Sequence, residues 1–68
     1  MLIPIPGKGL RRLRAARRLS RAALARKARL HPNTIRRLEA GDARASLVTV
    51  AKLAQALDVV AGELLEDS

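Results

Sequence analysis

The chain has 68 residues and a formal net charge of +8, with no cysteine and no aromatic side chain. Disulfides and thiolate metal sites are therefore excluded, the core must be built from Leu, Ile, Val and Ala, and no apolar run approaches the roughly 18 residues of a membrane span. The charge is unevenly spread: residues 1–44 hold thirteen Lys/Arg against two acids (+11), and residues 45–68 hold one Lys against four acids (−3), which points to a polyanion on one side of the molecule.

Met1–Lys8 alternates apolar residues with Pro4 and Pro6 and reads as extended. Leu2, Ile3 and Ile5 are expected to cover a hydrophobic edge, and a single Lys8 is too little for a basic minor-groove arm. Met1–Pro6 reads as too short for a signal peptide and lacks a basic leader. A first helix is expected over Gly9–Leu19, with Leu10, Leu13 and Ala16 recurring at three-residue spacing and Arg on the remaining surface. Ser20 reads as the N-cap of a second helix, SRAALARKA, with Ala23, Leu24 and Ala28 inside. Arg29, Leu30 and His31 form a three-residue connection.

Pro32 is well placed to begin a third helix, because its missing N–H is no loss at the first helical position. Gly41 supplies the stop. At about 100° per residue, Pro32, Asn33, Arg36 and Arg37 fall on one half-cylinder, and Thr34, Ile35, Leu38 and Glu39 on the other. Asn can bond adenine through two hydrogen bonds, and Arg can do the same for guanine. Such a face would equally suit a solvated basic surface.

After the loop DARA, Ser46 caps a fourth helix, Leu47–Leu57. Asp58–Ala61 is a turn, and Glu63, Leu64 and Leu65 form a short last helix. Five short helices without a strand pattern make an all-α domain over 9–66, preceded by the lead-in 1–8 and followed by a tail at 67–68. A lone His31, without Cys or a second His, offers no metal site, and no nucleophile–base constellation is present, so neither cofactor nor catalysis is expected.

Two helices joined by a three-residue turn, the second with a polar outer face, make a helix-turn-helix layout. The elements LS–x3–LA, TI–x2–LE–x–G and SL–x2–V–x2–LA–x–AL, spread over Leu19–Leu65 with Leu10–Arg14 before them, resemble the DNA-binding domain of lambda-type phage repressors, Cro proteins and Xre-like regulators. The sequence departs from that pattern where the family has Gly in three turns. Here those positions hold Arg18, Arg29 and Asp58, and an L-residue in the left-handed conformation costs on the order of 1 kcal/mol relative to Gly. His31 stands where the cap is usually Ser or Thr, and Ala45 where Pro is frequent.

The resemblance implies a compact five-helix lambda-repressor-like fold and residue roles to go with it. Pro32, Asn33 and Arg37 would read bases, with Arg36 at the groove's edge. Ser20, Arg21 and Arg44 would hold phosphates, with His31 as a lesser candidate. Glu39, disfavoured by the dipole near a helix C-terminus, would form a structural ion pair with Arg14. The function implied is sequence-specific binding of double-stranded DNA in the cytoplasm, by a transcriptional regulator or an engineered DNA binder. Relatives often bind as dimers, but the acidic, small C-terminal end of this chain points to a monomer in free solution, with a dimer on DNA as the other expectation. The alternative is an antitoxin-like protein-interaction module that uses Met1–Pro6 and Val59–Leu65. RNA binding ranks last, because no aromatic side chain is available to stack on unpaired bases.

Overall fold

Pro4 and Pro6 keep the start of the chain extended, and the carbonyl of Pro6 then opens the first helix by accepting from the Leu10 N–H at 2.9 Å. The computed structural model describes residues 1–66, and the expected tail at 67–68 lies outside the described residues. Helix α1 runs over Gly7–Ala16, α2 over Arg21–Ala28, α3 over Pro32–Ala40, α4 over Leu47–Leu57 and α5 over Ala61–Leu65. The first helix thus begins two residues before the expected Gly9 and stops three before Leu19. It stops because Arg18 turns left-handed at φ 56° and the Leu19 N–H folds back to the Arg14 carbonyl at 3.2 Å. No helix among the described residues is long and apolar enough to cross a membrane.

Three helix starts are closed by side chains. The Ser20 hydroxyl accepts from the Ala23 N–H at 3.0 Å, His31 Nδ1 from the Asn33 N–H at 3.0 Å, and the Ser46 hydroxyl from the Thr49 N–H at 3.2 Å. Each satisfies a donor that the helix itself leaves unpaired.

Four helix ends share one closure. Arg18, Arg29, Gly41 and Asp58 have φ of 56°, 59°, 80° and 57°, and the following residue donates its N–H back across the last turn, as Leu30 does to Ala25 (2.8 Å) and Val59 to Ala54 (3.0 Å). A glycine is thus present at only one of the four. At the other three, the next residue is Leu19, Leu30 or Val59, each partly buried against the core. An apolar contact at this position commonly accompanies the closure, and here it offsets the left-handed backbone cost. Gly41 is followed by the exposed Asp42 and has no such compensation.

The core draws on every helix: Leu10, Leu24, Ile35, Leu38, Leu53, Leu57 and Leu64 are each at most 1 % exposed. Burial on this scale contributes roughly 1.5–3 kcal/mol per side chain. α2 packs on α3 and on α4, and α1 on α3 and α5. Ile5 is buried and Ile3 partly so, and the lead-in forms a strand besides. β1, Leu2–Ile3, pairs antiparallel with β2, Ala45–Ser46, matching Leu2 with Ser46 and Ile3 with Ala45. Two residues per strand are too few for an alternating pattern to show in the sequence, and Pro4 bars extension of the ladder.

Candidate nucleic-acid interface

The outer face of α3 is set by what its inner face must bury. Ile35 and Leu38 point inward, so Pro32, Asn33, Arg36 and Arg37 are left exposed and Thr34 lies at the boundary. Asn33 and Arg36 are not independent. Arg36 Nε donates to Asn33 Oδ1 at 2.9 Å, a pairing that the three-residue helical spacing permits. Arg37 Nη2 donates over 3.4 Å to the Asp42 carbonyl, just past the helix end. His31, as the cap, uses Nδ1 as an acceptor and so carries its proton on Nε2 when neutral.

The inner face of α3 also carries Glu39, whose side chain is only 3 % exposed. Arg14 donates to it twice, from Nε at 2.6 Å and from Nη2 at 3.2 Å, while Arg14 Nη1 donates to the Leu19 carbonyl at 2.8 Å. Arg21 Nε adds a third donor at 3.1 Å. Burial pushes the Glu39 carboxyl up, but the hydrogen bonds and charges of Arg14 and Arg21 outweigh it, and the group sits below the usual carboxylate range. The hydrogen bond to Glu39 in turn raises Arg14 above its ordinary value.

Arg21 was expected at a phosphate, and the structure places it on Glu39. Its side chain stays 48 % exposed, and a guanidinium with Nε engaged still has four N–H donors on its two terminal nitrogens. Ser20 and Arg44 are exposed. Because Glu39 lies in the last turn of α3, its bond to Arg21 brings the start of α2 to the same end of the helix as the loop holding Arg44. His31 stands at the other end.

Sequence reasoning missed three contacts. Arg17 Nε donates to the Leu57 carbonyl at 2.6 Å, and its Nη2 reaches the Asp58 carbonyl at 3.4 Å. This cation seals the end of α4, where the helix dipole favours it, but no local pattern links residues forty apart. Gly7 lies so close to α3 that a methyl there would overlap the Glu39 carbonyl oxygen and sit 2.8 Å from its carbon. The Asn33–Arg36 bond, by contrast, was readable from the spacing alone.

Residues 10–64 match the helix-turn-helix family. Among solved structures, the chain is similar to the restriction-modification controller protein C.AhdI from Aeromonas hydrophila, with 41 % identity, a TM-score of 0.83, and 85 % of this chain and 88 % of that one covered. It is also similar to a hypothetical transcription factor, NHTF, from Neisseria (28 % identity, TM-score 0.84, covering 88 % and 69 %). A third likeness is to HEPD of Streptomyces albus, solved with 2-hydroxyethylphosphonate and Fe(II) bound (36 % identity, TM-score 0.81), where 87 % of this chain matches 13 % of that one. Comparison with curated protein sequences gave no match. The match over residues 10–64, with an all-α fold of five helices behind it, establishes that the chain belongs to the helix-turn-helix family, alongside Xre-like DNA-binding regulators.

Proposed function

We propose that the protein binds double-stranded DNA sequence-specifically by laying α3 in the major groove, and that it regulates transcription by occupying its site, without a cofactor or catalysis. The observation that carries this is the exposed row Asn33, Arg36 and Arg37 on a helix whose opposite face is fixed by Glu39. A likeness that includes HEPD shows that this fold also occurs inside a longer, Fe(II)-bound protein, so function must rest on side chains rather than on architecture.

In this assignment Arg37 presents terminal guanidinium nitrogens to guanine with Arg36 at the groove's edge, and Asn33 retains its amide N–H groups and a second carbonyl lone pair while holding Arg36. Pro32 sets the helix entry and offers apolar contact to a thymine methyl. Ser20, Arg21 and Arg44 grip phosphates at one end of α3, and His31 does so from Nε2 at the other. Arg11, Arg26 and Lys27 add to the general field. The site of action is the cytoplasm, at the nucleoid. The protein is a monomer in free solution: its C-terminal end carries Asp58, Glu63 and Glu66, and the large apolar side chains exposed among residues 45–66 are Leu47, Val48 and Val60 alone.

The antitoxin-like alternative needs Met1–Pro6 and Val59–Leu65 as a free apolar surface. Ile5 and Leu64 are buried in the chain's own core, and of these segments Met1, Leu2 and Val60 are the large apolar side chains left exposed, a smaller surface than the polar row of α3 offers to DNA.

The test separates base contacts from phosphate contacts. With about four to six phosphates neutralised, log K should fall against log[salt] with a slope of roughly −4 to −5. Arg37→Ala should cost about 1–3 kcal/mol on the preferred duplex and flatten preference at one base pair, whereas Arg44→Ala should weaken all duplexes alike and reduce the slope by about one unit. Titration of a preferred duplex, its single-base variants and an unrelated duplex at two salt concentrations decides the matter. Equal losses by both variants on every duplex would reduce α3 to an electrostatic anchor.

A further inference from the structure

The last turn of α2 and the second half of α4 enclose a cleft of about 490 Å3, lined by Lys27, Ala28, Arg29, Lys52, Gln55 and Ala56. Ala28 and Ala56, each 4 % exposed, close its floor. Lys27, Arg29, Lys52 and Gln55 are exposed around it. Lys52 is the only cation in residues 45–68, and it lines the same cleft as the two cations that end α2. None of the described acids of that stretch lines the cleft, and among the described residues no carboxylate is bonded to Lys27, Arg29 or Lys52.

Cations gathered around a concave surface repel one another unless an anion enters. The dipole at the end of α2 accounts for Lys27 and Arg29, but it does not account for Lys52, which lies within α4. Arg29 also holds a left-handed backbone, φ 59°, in a position where glycine would carry no penalty. Arg18 and Asp58 share this backbone, so what sets Arg29 apart is its place beside Lys27 and Lys52 at the rim of the cleft. α2 packs on both α3 and α4, and no cleft residue belongs to α3 or to the loop that follows it. Occupancy of α3 leaves the cleft open.

We propose that this cleft docks an acidic segment of a second protein while α3 holds DNA. The floor of two methyl groups accepts a small apolar side chain, and the three cations and the Gln55 amide receive carboxylates on either side of it. The volume lies within the range of small binding sites. The buried residues that line the cleft are Ala28 and Ala56, both apolar, so the floor has nothing to orient a compact ligand, and a segment that spans the rim fits better.

The experiment titrates the full chain, free and on a DNA duplex that it binds, with a peptide of alternating Glu and Ala, and with inorganic pyrophosphate in parallel. Methyl resonances of Ala28, Ala56 and Thr34 are followed by NMR. Saturable shifts at Ala28 and Ala56 are expected in both states, with Thr34 unmoved and DNA retained. Lys52→Glu and Arg29→Gly should each weaken the peptide by about tenfold. Arg29→Gly should melt no lower than the parent, so a loss of peptide binding there does not come from unfolding. Shifts centred on Thr34, displacement of DNA by the peptide, or an affinity unchanged in Lys52→Glu would overturn the proposal. So would pyrophosphate binding at the same methyls as tightly as the peptide.

Discussion

The two faces of α3 differ in how fully their polar atoms are engaged. On the inner face, the Glu39 carboxylate receives three donors from two arginines while Ile35 and Leu38 are sealed in the core. On the outer face, the bonds are Arg36 to Asn33 and a long one from Arg37 to a carbonyl beyond the helix end. The same residue type serves both faces. Arg14, with a side chain 14 % exposed, is locked between Glu39 and the Leu19 carbonyl, while Arg37 is exposed. Burial and partners decide the role, so nine residues can carry the fold on one side and stay free to change on the other.

The largest expected effect breaks the inner face. Glu39→Ala removes the shared acceptor of Arg14 and Arg21 and should cost about 3 kcal/mol in a denaturant melt, much of what a domain this small has. Arg37→Ala in the same melt should stay within about 0.5 kcal/mol of the parent. If Glu39→Ala melts with the parent, packing alone holds the inner face. Next comes Gly7→Ala, which forces α1 away from the Glu39 carbonyl and should cost roughly 1–3 kcal/mol. A Gly7→Ala variant of equal or higher stability, as helix propensity alone would give, would remove that close approach.

The smallest effect is the response to acid. Glu39 is held below its ordinary value, so it stabilises the fold fully above the unfolded glutamate pKa of about 4.3. That contribution drains away as pH falls through the lower folded value. A melting series from about pH 6 to 2 should show this loss in the parent and not in Glu39→Gln. Parallel curves for the two proteins would mean that the carboxylate's charge plays no part.

Most of the fold was legible because its boundaries are local. Ser20, Pro32, Gly41 and Ser46 each act within a few residues of their own position, and α2, α3 and α4 accordingly begin and end where the sequence places them. The left-handed turns at Arg18, Arg29 and Asp58 were legible through the family's glycines, and the apolar residue after each explains why the departure is tolerated. The start of α1 was not legible, because Gly7 is required by the backbone of α3 rather than by anything near it in the chain. The ladder escaped for a related reason: its second strand is two residues long, and one of them, Ser46, already reads as a cap. In the candidate site, the exposed row on α3 follows from periodicity. The attachment of Arg21 to Glu39 does not, since it depends on how α2 crosses α3.

The ladder between Leu2–Ile3 and Ala45–Ser46 also has a mechanical side. It knots the first residues of the chain to the segment directly after Arg44 and directly before α4, whereas α5 is anchored by packing on α1 and α4. A tag, tether or surface attachment at Met1 would therefore tug on the Arg44 loop, and a protease that clipped Leu2–Ile3 would slacken it. Handles for immobilising or fusing this protein belong behind α5, where load enters through helix packing and bypasses the loop.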